Sequence, residues 1–284
     1  MADLNLNDFY KIQMSDADFN RLSTFIYKEY GIKMPPAKKT MLQSRLLKRL
    51  RELNIPSYKD YIDFVFSKKG QMEELFHMID EISTNKTDFF RESAHFDFLS
   101  QYLLPELYRA NYRNLRVWSA ASSSGEEPYT LAIVLSEFGA LNSNFQFTIT
   151  GSDISIKVLQ KAVNGIYTED RIEMIPMTLK RKYFLKSKDS EKKTIRVSQE
   201  LRKKVNFMRV NLMDDVYSVP DNQDIIFCRN VLIYFDRETQ EKVICKLCNK
   251  LRPGGFFFLG HSESITNMVV PLKQVKPTIF RKIG

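Results

Sequence analysis

The stretch Val117–Thr130, VWSAASSSGEEPYT, decides the fold class. It begins as an apolar run of buried-strand type, passes through the small residues Ser122–Gly125, and opens into a helix with Glu126 and Glu127 side by side. In α/β proteins a strand that ends in small residues and feeds a helix is where a nucleotide sits, because backbone can approach the ligand closely there. The usual phosphate grip is missing. There is neither a G-x-G-x-x-G nor the Lys-Ser/Thr of a P-loop, and two adjacent carboxylates would repel a pyrophosphate. The stretch therefore reads as a nucleotide-type site built for a ligand without phosphate.

Outward from it, strands and helices alternate. A helix HFDFLSQYLLPELYR precedes a strand at 115–121, and a helix at 126–138 follows. Next come a strand at 145–153, the helix SIKVLQKAV, the run VNFMRVNLMD, a strand at 224–230 and a helix at 237–251. A Pro-Gly-Gly turn, the strand GFFFLGHSE and a closing pair around QVKPTIFRKI complete the chain. Such alternation predicts an α/β fold with a mostly parallel sheet. It lapses between Gly165 and about Lys204, where TIRVSQEL and the charged KSKDSEKKT predict an inserted antiparallel β-subdomain.

Before about residue 85 the chain reads as helices only. In MSDADFNRLSTFIYKEYGI, Ser15 is placed as N-cap with Asp18 three residues on, and Gly31 as C-cap. KKTMLQSRLLKRLRELN repeats Leu42, Leu46, Leu50 and Leu53 at helical spacing, with its basic residues on the opposite face. SYKDYIDFVF and QMEELFHMIDEI give two more helices. Between Pro36 and Lys59 stand seven basic residues (Lys38, Lys39, Arg45, Lys48, Arg49, Arg51, Lys59) and one acidic one, Glu52. This cluster reads either as a polyanion- or acidic-protein-binding face or as a solvated helix surface.

Composition narrows the class. The 284 residues, 43% hydrophobic and 27% charged with formal net charge +9, describe a globular protein of one large or two ordinary domains. No apolar run approaches the roughly 20 residues that span a bilayer, and the first thirty residues lack signal-peptide order, so a cytoplasmic protein without membrane insertion is expected. Three cysteines, Cys228, Cys245 and Cys248, make no disulfide framework. The C-x-x-C at 245–248 lies inside an amphipathic helix pattern, and no second Cys or His pair completes a metal site.

In a doubly wound sheet the ligand lies beyond the carboxyl ends of the strands. Glu126 and Glu127, Asp153, Asn211 with Leu212, and Arg229 with Asn230 follow or end the four successive strands, so they are expected to converge. An acidic residue ending the second strand accepts ribose hydroxyls. Ribose without phosphate among carboxylates points to a cationic nucleoside such as S-adenosylmethionine. Asp153 as a helix cap, and Ser122–Ser124 as a plain turn, are the competing readings.

The motifs STNKTDFFRE, VWSAASSSGEEPYTLA, GSDIS, NGIY, VNLMD, FCRNVLIYFD and LRPGGFFFLGHSES occur in that order over nearly the whole chain. In this succession the chain resembles the CheR family, the bacterial chemoreceptor glutamate methyltransferases. The resemblance implies an all-α N-terminal domain, 1–85, carrying the basic helix. It implies a Rossmann-like S-adenosylmethionine methyltransferase domain, 86–284, with a small antiparallel β-subdomain at about 165–204. The implied reaction moves the methyl of S-adenosylmethionine to a receptor glutamate carboxylate, leaving S-adenosylhomocysteine, with no metal.

Carried over by motif, the cofactor contacts fall on Asn85, Thr87, Arg91, Glu127, Asp153, Asn211, Leu212, Arg229 and Asn230, with Arg91 and Tyr234 beside the reacting methyl. Arg45, Lys48 and Arg49 become candidates for holding the receptor's cytoplasmic helical bundle, and the enzyme is expected to act as a monomer. Glutamate is already ionised at neutral pH, so no general base is required, and His261 is read as a structural or ligand-edge residue. A nucleic-acid methyltransferase is disfavoured, because CRNVLIYF lacks the Pro-Pro of amine-methylating sites. A cofactor-binding adaptor of the receptor array without turnover is disfavoured because Arg91, Tyr234 and Asp153 are all present. Family members that dock a receptor's C-terminal pentapeptide carry glycines in the β-subdomain hairpin, whereas YFLKSKDSEKKTIRV has none. The basic helix is therefore the expected route to the receptor.

Overall fold

Ser15 caps the helix that follows it, as its spacing predicts: the hydroxyl accepts the Asp18 amide at 3.0 Å, and Gly31 closes the far end at a φ of 68°. The computed structural model describes residues 12–284, and residues 1–11 of the expected N-terminal domain lie outside them. The described chain forms two units. The first runs to Thr84 and takes in two short later segments, Ile154–Ile156 and Tyr234–Asp236. Its helices are α1 (Asp16–Tyr30), α2 (Lys39–Glu52), α3 (Tyr58–Phe66), α4 (Lys68–Glu73) and α5 (Leu75–Ile82).

The 3.6-residue period of α2 puts Leu42, Leu46 and Leu50 wholly inside, against Phe19, Leu22, Ile62 and Ile79. QMEELFHMIDEI, expected as one helix, is divided at Glu74 between α4 and α5. Glu74 is only 2% exposed and is held by three bonds: Arg49 Nε at 2.8 Å, Arg49 Nη2 at 2.6 Å and the Tyr61 hydroxyl at 2.8 Å. The helical bonds run on through the division, Glu74 N to the Gly70 carbonyl at 2.8 Å and Met78 N to the Glu74 carbonyl at 3.0 Å, and the break is a local widening of φ to −114° at Glu74.

The second unit opens with α6 (Ala94–Phe98), a wide π turn over Leu99–Leu103, and α7 (Leu104–Arg109). A single regular helix was the expectation; the wide turn precedes Pro105, which has no N–H to donate. Then follow β1 (Asn114–Ala120), α8 (Glu126–Leu141), β2 (Gln146–Asp153) and α9 (Ile156–Asn164). The insert contains β3 (Ile166–Thr168), α10 (Met177–Tyr183), β4 (Phe184–Lys186), β5 (Thr194–Val197) and α11 (Gln199–Arg202). Its strands pair antiparallel in the order β3-β5-β4. β6 (Val205–Arg209), β7 (Gln223–Cys228), α12 (Arg237–Lys250), β8 (Leu251–Leu259), β9 (Leu272–Lys276) and β10 (Ile279–Lys282) complete it.

The main sheet has the order β6-β2-β1-β7-β8-β10-β9, parallel from β6 to β8, with β10 antiparallel to both neighbours. β7 is buried at every position and β1 from Val117 onward, as strands covered on both faces are. Strand order reverses between β1 and β7, so the crevice beyond their carboxyl ends is the switch point where such sheets bind ligands. The expected Pro-Gly-Gly turn is instead a bulge within β8. Gln223 pairs with Leu251 but Ile225 with Phe256, and Gly254 takes up the slack at a φ of 71°. Cys248 is buried in α12, which pushes its thiol pKa up to about 12, as suits a packed residue. Among the described residues no helix is long and apolar enough to cross a membrane.

Candidate active site

The loop after β1 is unusually contorted. Ala121, Ser123 and Gly125 all have positive φ, at 61°, 49° and 97°. Only glycine fits the last position: a Cβ there would come within 2.8 Å of the Ala162 Cβ. The contortion aims polar groups inward. Ser123 N donates to Asp153 Oδ2 at 2.9 Å, and Ser123 Oγ donates to the Asn85 carbonyl at 2.9 Å. One serine thus ties the end of β2 to the segment that enters this unit. Asp153 is also fixed through its carbonyl, which accepts Val210 N at 3.0 Å. Beyond β6, Asn211 Oδ1 accepts Met213 N at 3.1 Å, and the carbonyl of buried Leu212 accepts the Tyr217 hydroxyl.

A second cluster is centred on Arg229 at the end of β7. Its Nη1 lies 3.0 Å from Glu127 Oε2, its Nη2 lies 3.0 Å from Glu92 Oε2, and Nη2 also donates to the Arg91 carbonyl. Glu127 takes a further bond from Ser119 Oγ at 2.7 Å. Burial pushes the Glu127 carboxyl pKa up, and the guanidinium opposes it. Burial acts likewise on Glu92, but the Asn230 amide at 3.1 Å and Arg229 outweigh it and hold that carboxyl below the ordinary range. Asn230 sits at a φ of 58° against Gly260, where a Cβ would fall 2.5 Å from its amide nitrogen. Glu263 locks the arrangement by accepting the backbone amides of Asn230, Val231, Leu232 and Gly260.

The carboxylates of this region are paired. Glu126 is paired with Arg171 at 2.6 Å and Glu127 with Arg229, so each buried charge already has its cation. Ser122 Oγ and Arg229 Nε, and with them His95 Nδ1, are buried without a hydrogen-bond partner. Orphans of this kind at a switch point are what a polar ligand satisfies.

Asn85, Thr87, Arg91, Glu127, Asp153, Asn211, Leu212, Arg229 and Asn230 all belong to the second unit. Arg91 is half-buried, with Nη1 on the Lys86 carbonyl at 2.9 Å. Tyr234 belongs to the first unit, where its carbonyl accepts Lys33 N at 3.0 Å.

The basic helix is engaged within its own unit. Arg45 donates to the carbonyls of Ile82 at 2.6 Å and Ser83 at 3.2 Å, Lys48 lies 3.2 Å from Glu81, and Arg49 is the partner of buried Glu74. Arg49, 12% exposed, is a structural cation, whereas Lys48 stays open to solvent.

Glu92, His95, Arg171 and Glu263 were not singled out by the sequence reading. Glu92 and Glu263 lie within quoted motifs, but no spacing distinguishes them from surface acids. His95 Nε2 meets Thr278 Oγ1 at 2.8 Å, its Nδ1 faces Glu92 Oε2 at 3.7 Å, and its ring lies 5.0 Å from that of His261. Burial, followed by the charge of Arg229, pushes the His95 pKa down to about 4. His261 itself is exposed and donates its amide to Glu92 at 3.2 Å, an edge position.

A parallel sheet that reverses at β1 and β7, with an acidic residue closing β2 and no phosphate grip, defines the class of S-adenosylmethionine-dependent methyltransferases. Within it, the chain belongs to the CheR family. Residues 85–280 match the CheR methyltransferase SAM binding domain, and residues 17–83 match the CheR methyltransferase all-alpha domain. The chain is similar to a chemotaxis protein methyltransferase of Borreliella burgdorferi, 39% identical over 98% of this chain and 99% of that protein. It is also similar to one of Salmonella typhimurium, 37% identical over 91% and 88%, and to chemotaxis protein methyltransferase 2 of Pseudomonas aeruginosa, 38% identical over 93% and 92%. Its activity is S-adenosylmethionine-dependent methylation in chemotaxis.

Proposed function

We propose that the methyl acceptor is a glutamate side chain in the cytoplasmic helical bundle of a chemoreceptor and that the product is a methyl ester. The observation that carries this reading is the buried Arg229–Glu127 pair, with Ser122 Oγ and Arg229 Nε unsatisfied, at the same sheet end as Asp153. A guanidinium and a carboxylate side by side complement the ammonium and carboxylate of an amino acid, and Asp153 complements a ribose. When bound, S-adenosylmethionine supplies an electrophilic methyl on a sulfonium.

The chain's own residues then have three tasks. Arg229, Glu127, Asp153, Asn211, Leu212 and Asn230 bind and orient the cofactor, together with Asn85 and Thr87. Arg91 keeps the incoming glutamate ionised, because a neighbouring cation lowers a carboxylate pKa while burial raises it. Arg91 also holds the acceptor oxygen in line with the methyl, so that alignment rather than proton transfer lowers the barrier. The C–O bond forms as the C–S bond breaks, and no proton is transferred.

The test uses tritiated S-adenosylmethionine with receptor-containing membranes, followed by alkali. Volatile methanol is expected, because base hydrolyses a carboxyl ester. Label that stays in protein after alkali, or that appears in added nucleic acid, overturns the reading.

A further inference from the structure

We infer that Arg171, a residue of the inserted β-subdomain, is a positioning residue for the cofactor. Resting on the reading above, this gives the insert a part in cofactor binding. Arg171 follows β3 in a short 3-10 turn, Glu169–Ile172, outside every motif that carries chemistry. Its guanidinium bridges three groups: Nη1 reaches Asp88 Oδ1 at 2.9 Å, and Nη2 reaches the Thr87 carbonyl and Glu126 Oε1, the latter at 2.6 Å. Glu126 is 2% exposed at the start of α8, and its carboxylate also accepts Ser124 Oγ at 2.7 Å. Arg171 therefore neutralises a buried charge beside the β1 loop and ties it to the segment bearing Thr87.

Other residues of the insert grip the same place. The Tyr167 hydroxyl donates to the Ser124 carbonyl at 2.6 Å. Phe89 is buried edge-on against Tyr167 and Phe184, with ring centroids at 5.1 and 5.5 Å. On its other side the segment is held by the sheet domain, through Ser123 Oγ on the Asn85 carbonyl and Phe90 N on Thr130 Oγ1 at 3.1 Å. Phe90 and Glu92 have φ of 53° and 58°, a left-handed geometry that non-glycine residues keep only when surroundings hold them from several sides. Arg171 is the ionic hold at Thr87 and Asp88, as Arg229 is at Arg91 and Glu92, so its loss frees Thr87 and Asp88 to leave the conformation that receives the ligand.

The experiment pairs calorimetric titration of the full chain with S-adenosylhomocysteine and amide hydrogen exchange of the ligand-free protein. For Arg171→Ala, affinity is expected to fall about tenfold or more, the scale of a lost charged hydrogen bond, with stoichiometry unchanged. Amides of residues 85–92 are expected to exchange faster while those of β1 and β7 keep their protection. Arg171→Lys, which keeps the charge but not the fork, is expected to fall between the two. Adding Glu126→Gln to Arg171→Ala removes the stranded charge. Weak binding should persist there, and a return to wild-type affinity overturns the bridging role. Wild-type affinity and exchange in Arg171→Ala overturn it equally. A wild-type chain that binds no S-adenosylhomocysteine sinks the cofactor reading instead, while the exchange arm still tests the bridge.

Discussion

Arg229 Nη1 lies 3.0 Å from Glu127 Oε2, and the two side chains are 2% and 13% exposed. Each side chain is the other's counter-ion in a buried space, so removing one leaves the other's charge uncompensated. Arg229→Ala leaves Glu127 and Glu92 facing one another without a cation. The expected loss is about 3–5 kcal/mol of unfolding free energy at pH 7, read by urea denaturation, together with loss of S-adenosylhomocysteine binding. A loss below about 1 kcal/mol would place the pair with ordinary surface bridges.

Asp153→Ala should abolish cofactor binding while the sheet persists. Its carboxylate accepts Ser123 N in the β1 loop, and losing that bond is expected to cost about 1 kcal/mol. Calorimetry with S-adenosylhomocysteine checks it, and near wild-type affinity removes Asp153 from the ribose role.

On the basic helix the consequences divide by residue. Arg49→Ala strands buried Glu74 and is expected to destabilise the helical unit by about 3–5 kcal/mol. Lys48→Glu, at an exposed position, should leave Tm within a few degrees yet raise the receptor KM. That rise should be steeper at low salt, where attraction is least screened. An unchanged KM at low salt assigns Lys48 to solubility alone.

His95 gives a pH dependence of known sign. Its folded-state pKa is depressed to about 4 from the ordinary 6.5, so the unfolded chain takes up a proton that the folded chain refuses. The stability from neutral His95 is present above pH 6.5 and is lost as pH falls towards 4, by up to ~3 kcal/mol. Unfolding free energy measured between pH 4 and 7 should therefore slope less steeply in His95→Gln than in wild type. Parallel slopes would mean that the imidazole titrates normally.

The β-subdomain should be a poor peptide dock. β4, one of its two edge strands, carries Lys186 paired with Glu169 at 3.0 Å, and the following loop reaches β5 through Lys193 at a φ of 42°, where a glycine would be at ease. Titration with a Trp-containing receptor-tail pentapeptide is expected to show no low-micromolar binding. Saturation in that range, about −8 kcal/mol, would show that the edge works without glycines.

Local order in the chain was enough to determine the class of the fold. Leucines at helical spacing in α2, the Ser15 and Gly31 caps, and apolar strands punctuated by small residues all act through contacts within a few residues. Motif order likewise singled out Asp153, Asn211 and Arg229, which stand at or just past strand ends whatever the packing details. Tertiary structure alone decided the charges. Glu126 and Glu127 look alike in sequence, yet each is neutralised by a different arginine, 45 and 102 residues away in the chain. Arg49 looks like its exposed neighbours on α2, yet it is the partner of a buried acid at which a predicted helix divides. An ion pair depends on which side chains share the same low-dielectric space, and that follows from long-range packing rather than from local pattern.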